Sequence, residues 1–84
     1  MSEKTLFISQ LSENTHLSDL ITAFSKYGGV KYTIMQKGEA YIEFDNFSNA
    51  KEAQNQMTGK MILDSEIIVE FKNRNYITII LSLF

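Results

Sequence analysis

Along Lys4–Gln10 the side chains alternate in kind, with Leu6 and Ile8 falling on one side of a pleated segment and Phe7 and Ser9 on the other. The alternation predicts a strand that buries aliphatic residues on one side and presents a ring on the other. Leu11–Asn14 then reads as a turn, and Leu17, Leu20, Ile21, Phe24 and Tyr27 recur at helical spacing, with Thr15 as the expected N-cap and Gly28-Gly29 as the stop. A second strand is expected over Val30–Met35, a short connection at Gln36-Lys37-Gly38, and a third strand over Glu39–Phe44. In that third strand Ala40, Ile42 and Phe44 share one side, while Glu39, Tyr41 and Glu43, following Lys37, share the other. Asp45-Asn46 supplies a cap for a second helix, whose narrow apolar stripe is Ala50, Ala53 and Met57 and which ends near Thr58-Gly59. A last strand is expected over Glu66–Phe71.

The element order is then strand, helix, strand, strand, helix, strand: two right-handed crossovers that put both helices on one face of an antiparallel sheet and leave the other face open. In that topology the first and third strands are the central pair, which sets Phe7 beside Tyr41 on the open face. Two flat rings side by side make a stacking platform for nucleic-acid bases, at about 1–3 kcal/mol for each base stacked. Aromatic side chains also occur on strands because they suit a pleated surface. Two of them at neighbouring positions on the open side ask for more than that preference.

The segments that carry these rings resemble a known family. Leu6-Phe7-Ile8-Ser9-Gln10-Leu11 is similar to the hexamer of the RNA-recognition motif, and Lys37-Gly38-Glu39-Ala40-Tyr41-Ile42-Glu43-Phe44 resembles its octamer. FSKYGGV, the Asn46–Met57 helix and DSEIIVEF extend the likeness over Lys4–Asn73. The resemblance implies an α+β, ferredoxin-like βαββαβ two-layer sandwich, with a four-stranded antiparallel sheet and two helices on one face. It also implies a function: binding of short single-stranded RNA, in RNA processing or a ribonucleoprotein, with a location in the nucleus or in nucleus and cytoplasm. Phe7 and Tyr41 match the family's base-stacking positions, and Lys37 matches the basic position that reaches a phosphate. Ser9, Glu39, Lys72 and Asn73 complete the expected RNA-binding set.

Departures from the family pattern refine the expectation. Glu39 stands where the family usually has a ring that packs on ribose, and Glu43 and Glu70 are expected on the same open face. Three carboxylates beside the phosphate path would lower affinity. The connection between the second and third strands is short, which points to a footprint of about 2–4 nucleotides. Lys4, Lys31, Lys37, Lys72 and Arg74 fall near strand ends or the sheet margin and form a modest basic rim, whereas Lys26, Lys51 and Lys60 belong to the helical side. The acids favour an alternative of a different class, a protein-interaction module on the same fold with RNA binding weak or lost.

Composition narrows the field further. The 84 residues suit one domain, and 8 basic against 10 acidic residues give no net positive field, so any RNA contact must be local. There is no cysteine and a single histidine, His16, which leaves no disulfide framework and no cysteine-rich metal site. No cofactor and no enzymatic activity are expected. Acylphosphatase-like enzymes of similar fold need an arginine in a phosphate-cradling loop, and the only arginine, Arg74, lies outside any such loop. MSEKTLF has no signal-sequence character, and the longest apolar run falls short of the roughly 20 residues that span a bilayer, so no membrane contact is expected. Residues 1–73 read as the domain and 74–84 as an apolar extension. Its Tyr76–Phe84 stretch is β-branched and aliphatic and is expected to pack on the sheet or in a homodimer, since an exposed segment of this kind is an aggregation hazard.

Overall fold

The computed structural model describes residues 3–72. The chain forms β1 (Thr5–Ser9), α1 (Leu17–Phe24), a 3₁₀ turn (Ser25–Tyr27), β2 (Val30–Gln36), β3 (Glu39–Phe44), α2 (Phe47–Met57), β4 (Met61–Ile62), β5 (Ser65–Glu66) and β6 (Ile68–Phe71). Four strands make one antiparallel sheet in the order β2-β3-β1-β6. Asn73 and the extension over 74–84, with Arg74, lie outside the described residues.

The core lies between the sheet and the helices, and the period of each element selects it. Leu6 and Ile8 of β1, Ala40, Ile42 and Phe44 of β3 and Val69 of β6 are buried together with Leu20 and Phe24 of α1 and Ala50, Ala53 and Met57 of α2. Alternate residues of the strands thus supply one wall and residues three or four apart in the helices supply the other. The small side chains Ala50 and Ala53 give α2 its narrow apolar stripe.

Several boundaries differ from those expected. The N-cap of α1 is His16, whose backbone N–H donates to the Asp19 carboxylate at 2.8 Å. Thr15, one residue earlier, is buried, and its hydroxyl has no hydrogen-bond partner among the described residues. The cap of α2 is as expected: the Asn46 side chain accepts from the Asn49 N–H at 2.9 Å. β2 runs on through Gln36, which reduces the connection to Lys37-Gly38, and Gly38 takes φ +75°, the left-handed conformation that so tight a turn requires. Glu66 belongs to a small β4–β5 hairpin, turning at Leu63-Asp64, and β6 begins only at Ile68. The hairpin is tied to the end of α2 by Gly59 N–H to the Ile67 carbonyl at 2.8 Å and Ile67 N–H to the Lys60 carbonyl at 2.9 Å.

Candidate nucleic-acid interface

Strand register turns the face away from the helices into a grid of three rows. The middle row is Ile34, Tyr41, Phe7 and Glu70, because Ile34 pairs with Tyr41, Tyr41 with Phe7 and Phe7 with Glu70. On the side of the β2–β3 turn lies a row of Gln36, Glu39, Ser9 and Ile68, with Gln36 opposite Glu39 and Ser9 opposite Ile68. On the other side lie Tyr32, Glu43 and Thr5, completed by Lys72, whose N–H donates to the Thr5 carbonyl at 3.1 Å. Neighbouring rows are two residues apart along a strand, about 6.8 Å.

The two rings of the middle row meet at the centre of the sheet. Phe7 and Tyr41 have ring centroids 5.1 Å apart with planes tilted by 44°. Both are half-buried. The Lys72 ammonium lies above them, 4.8 Å from the Phe7 centroid and 5.9 Å from that of Tyr41, within cation–π range of both. Ile34 extends the rings on the β2 side with 57% of its surface exposed, and the exposed Glu70 closes the row on the β6 side.

Polar groups surround this apolar centre in two different states. Glu39 is half-buried, and its Oε1 accepts from Gln36 Nε2 at 3.1 Å. Glu43, expected among the carboxylates that repel phosphate, lies on the open side but is only 7% exposed. Its Oε2 stands 3.6 Å from Lys31 Nζ, and its Oε1 accepts from the Thr5 hydroxyl at 3.3 Å. Lys31 stands beside this carboxylate while its own side chain stays largely exposed, and the accessible acids of the face reduce to Glu39 and Glu70. Lys37 is exposed in the β2–β3 turn, beyond the end of the grid. Leu11 N–H donates to the Gly38 carbonyl at 3.0 Å and so ties the β1–α1 loop to that turn. Between loop and turn is a shallow cleft of about 520 Å³ with Ser12, Asn14, Gln36 and Lys37 on its walls.

Of the residues expected from sequence, Phe7, Tyr41, Ser9, Glu39 and Lys72 come together on the grid, Lys37 stands at its margin, and Asn73 is outside the described residues. Ile34, Tyr32 and Gln36 were not expected on this face. The phase of the first two is hidden by a β-bulge between Val30 and Tyr32: Val30 pairs with the buried Phe44, yet Tyr32 two residues on pairs with Glu43 of the opposite side. Counting alternation forward from Val30 puts Ile34 in the core. Counting backward from the turn, where Gln36 faces Glu39, gives its true side.

The RNA recognition motif family model matches residues 6–68. The chain belongs to the RNA recognition motif family. Among curated relatives it is 34% identical to the serine/arginine-rich splicing factor RS2Z32 of Arabidopsis thaliana, over 77% of this chain and 23% of that protein. It is 26% identical to a splicing factor 3B subunit 6-like protein of Schizosaccharomyces pombe, over 81% of this chain and 64% of that one. The chain thus spans about a quarter of the first and under two thirds of the second. Among solved structures, the Nab3 RNA recognition motif, described in terms of cis element recognition of non-polyadenylated RNAs, superposes with TM-score 0.79 at 27% identity, over 88% of this chain and all of that one. The Sxl-lethal protein in its RNA complex superposes with TM-score 0.81 at 15% identity, over 86% of this chain and 48% of that one, a likeness of fold.

Proposed function

We propose that this RNA recognition motif binds short single-stranded RNA on the open face of its sheet and serves in RNA processing within the nucleus. The carrying observation is the Phe7–Tyr41 pair, two rings 5.1 Å apart on the central strands and turned away from the helices. One base stacks on each ring. The Lys72 ammonium, which lies over both rings in the free domain, moves aside to a phosphate as the bases arrive, exchanging a cation–π contact for a charge-assisted one. Lys37 at the turn contacts a second phosphate. The splicing factors among the relatives support the assignment to RNA processing and to the nucleus.

The test is a titration of short single-stranded RNAs at several salt concentrations, for the wild type and for Phe7→Ala and Tyr41→Ala. Each substitution should weaken binding by about 1–3 kcal/mol. Log affinity should fall with log salt at about −0.7 for each phosphate contacted. Unchanged affinity in both variants overturns the stacking reading.

A second reading, a surface for a protein partner or a second copy of the chain, draws on the exposed Ile34 and Tyr32 beside the rings and on the acids Glu39 and Glu70. An Ile34→Glu variant that abolishes partner capture or self-association while leaving RNA affinity intact would favour it.

A further inference from the structure

The row beside the rings has a chemistry of its own. From the proposed stacking it follows where a base edge falls: a base lying on Tyr41 extends toward the neighbouring rows, and the row on the turn side is about 6.8 Å away along the same strand. That distance matches the few ångströms from the centre of a base to its rim plus one hydrogen bond of about 2.9 Å. The residue there, on Tyr41's own strand and side, is Glu39.

Glu39 is not a loose surface acid. It is half-buried, and the Gln36 amide, directly opposite on β2, donates to its Oε1 at 3.1 Å. That bond fixes the carboxylate plane and leaves Oε2, with a further lone pair on Oε1, to accept from elsewhere. An ionised carboxylate only accepts. It complements a base edge with two adjacent N–H donors and repels an edge that offers lone pairs. Guanine meets the condition, with N1–H beside the N2 amino group on its Watson–Crick edge. Adenine and cytosine each set a bare ring nitrogen beside their one amino group. Uracil flanks its single N–H with two carbonyl oxygens.

Resting on the stacking reading of the Proposed function, we infer that Glu39, held by Gln36, is a specificity-determining residue that makes the Tyr41 position selective for guanine. The cleft between the β1–α1 loop and the β2–β3 turn opens next to this row, with Gln36 common to both; Lys37 and Glu13 both line it, so it offers room for the attached ribose but no net positive charge to a phosphate. The carboxylate's cost to phosphate binding thereby becomes a penalty on bases that cannot return two hydrogen bonds. A site built around such a donor pair gains its discrimination largely from the unpaired groups a wrong base leaves behind.

The experiment uses the full 84-residue chain and four pentanucleotides of uridine whose central base is guanine, adenine, cytosine or uracil, with a fifth carrying inosine. Wild-type protein should bind the guanine oligomer about tenfold or more tightly than the adenine one, as a bidentate contact predicts. Inosine, which keeps N1–H but lacks the amino group, should fall between them. Glu39→Gln, isosteric and on the surface, should bring guanine and adenine to within about threefold, and Gln36→Ala should narrow the gap less, because it frees the carboxylate without removing it. Equal wild-type affinities for the guanine and adenine oligomers, or a guanine preference that survives Glu39→Gln, overturns the inference while leaving the stacking reading intact. Binding of none of the five oligomers overturns both; where the oligomers bind without discrimination, Phe7→Ala should still weaken all five alike if stacking holds, so the two failures are distinguishable.

Discussion

The two faces of the sheet are made by the same strands in alternate residues, yet different constraints govern them. On the helix side Leu6, Ile8, Ala40, Ile42 and Val69 are buried to about the same degree, and any apolar side chain of the right volume would serve. On the open side Phe7, Tyr41, Glu39, Ser9, Glu70 and Lys72 differ in size, charge and exposure, and under the proposed function few could be exchanged without changing what the face would recognise. Burial selects for shape, whereas a half-exposed face leaves room for selection on functional groups. The boundary is not sharp. Thr5 and Glu43, though on the open side, are as buried as core residues, joined by a hydrogen bond with Lys31 beside Glu43.

Substitutions should separate the faces. The largest effect is expected in the core: Phe24→Ala should lower the unfolding free energy by about 3–5 kcal/mol in a denaturant titration, with RNA affinity preserved per folded molecule. Loss of affinity beyond the folded fraction would mean that the faces are coupled through the sheet. Next come Phe7→Ala and Tyr41→Ala, whose loss of about 1–3 kcal/mol should appear in binding and scarcely in stability; unfolding of either variant would reassign that ring to the core. Glu39→Phe should raise affinity for RNA without guanine by about tenfold, through an added ring and a removed charge, while levelling the differences between bases. Asn46→Ala should cost about 1 kcal/mol of stability through the lost cap of α2 and leave RNA binding unchanged, measured by thermal melting and the same titration. The smallest effect is that of Lys72→Ala or Lys37→Ala, each expected to flatten the salt dependence by about 0.7 in log–log slope, uniformly across RNA sequences.

Much of this contrast was legible in the chain because a period of two survives wherever the ladder is regular. β1 and β3 pair without a slip, so the alternation of Leu6, Phe7, Ile8 and of Ala40, Tyr41, Ile42 sorts every residue to its side. β2 carries the bulge near Lys31, and there alternation misleads: Val30 and Tyr32 read as one side and lie on two. The bulge hides the side of Ile34, whereas Gln36 reads as part of the connection and joins the face only because β2 runs one residue further than expected. Glu43 illustrates a different limit. Its side of the strand follows from the pattern, but its burial and its partners do not, because Lys31 and Thr5 reach it from neighbouring strands, 12 and 38 positions away in the chain. The hydrogen bond from Gln36 to Glu39 has a similar origin, arising from a two-residue turn that places β2 and β3 in a particular register. The small β4–β5 hairpin left no signal, since strands of two residues are too short to show any period.

The backbone bond from Lys72 N–H to the Thr5 carbonyl sets the start of β1 beside the residue that follows β6. A module built this way can be spliced into a loop of another protein, or strung in tandem, without prising its host apart. A version trimmed to residues 3–72 should likewise accept circular permutation, with a short linker joining its two ends and new ends opened at Leu63-Asp64, the tip of the β4–β5 hairpin. Because Thr5 and Lys72 both lie on one outer row of the open face, a segment grafted at either position would emerge at the rim of the ring platform.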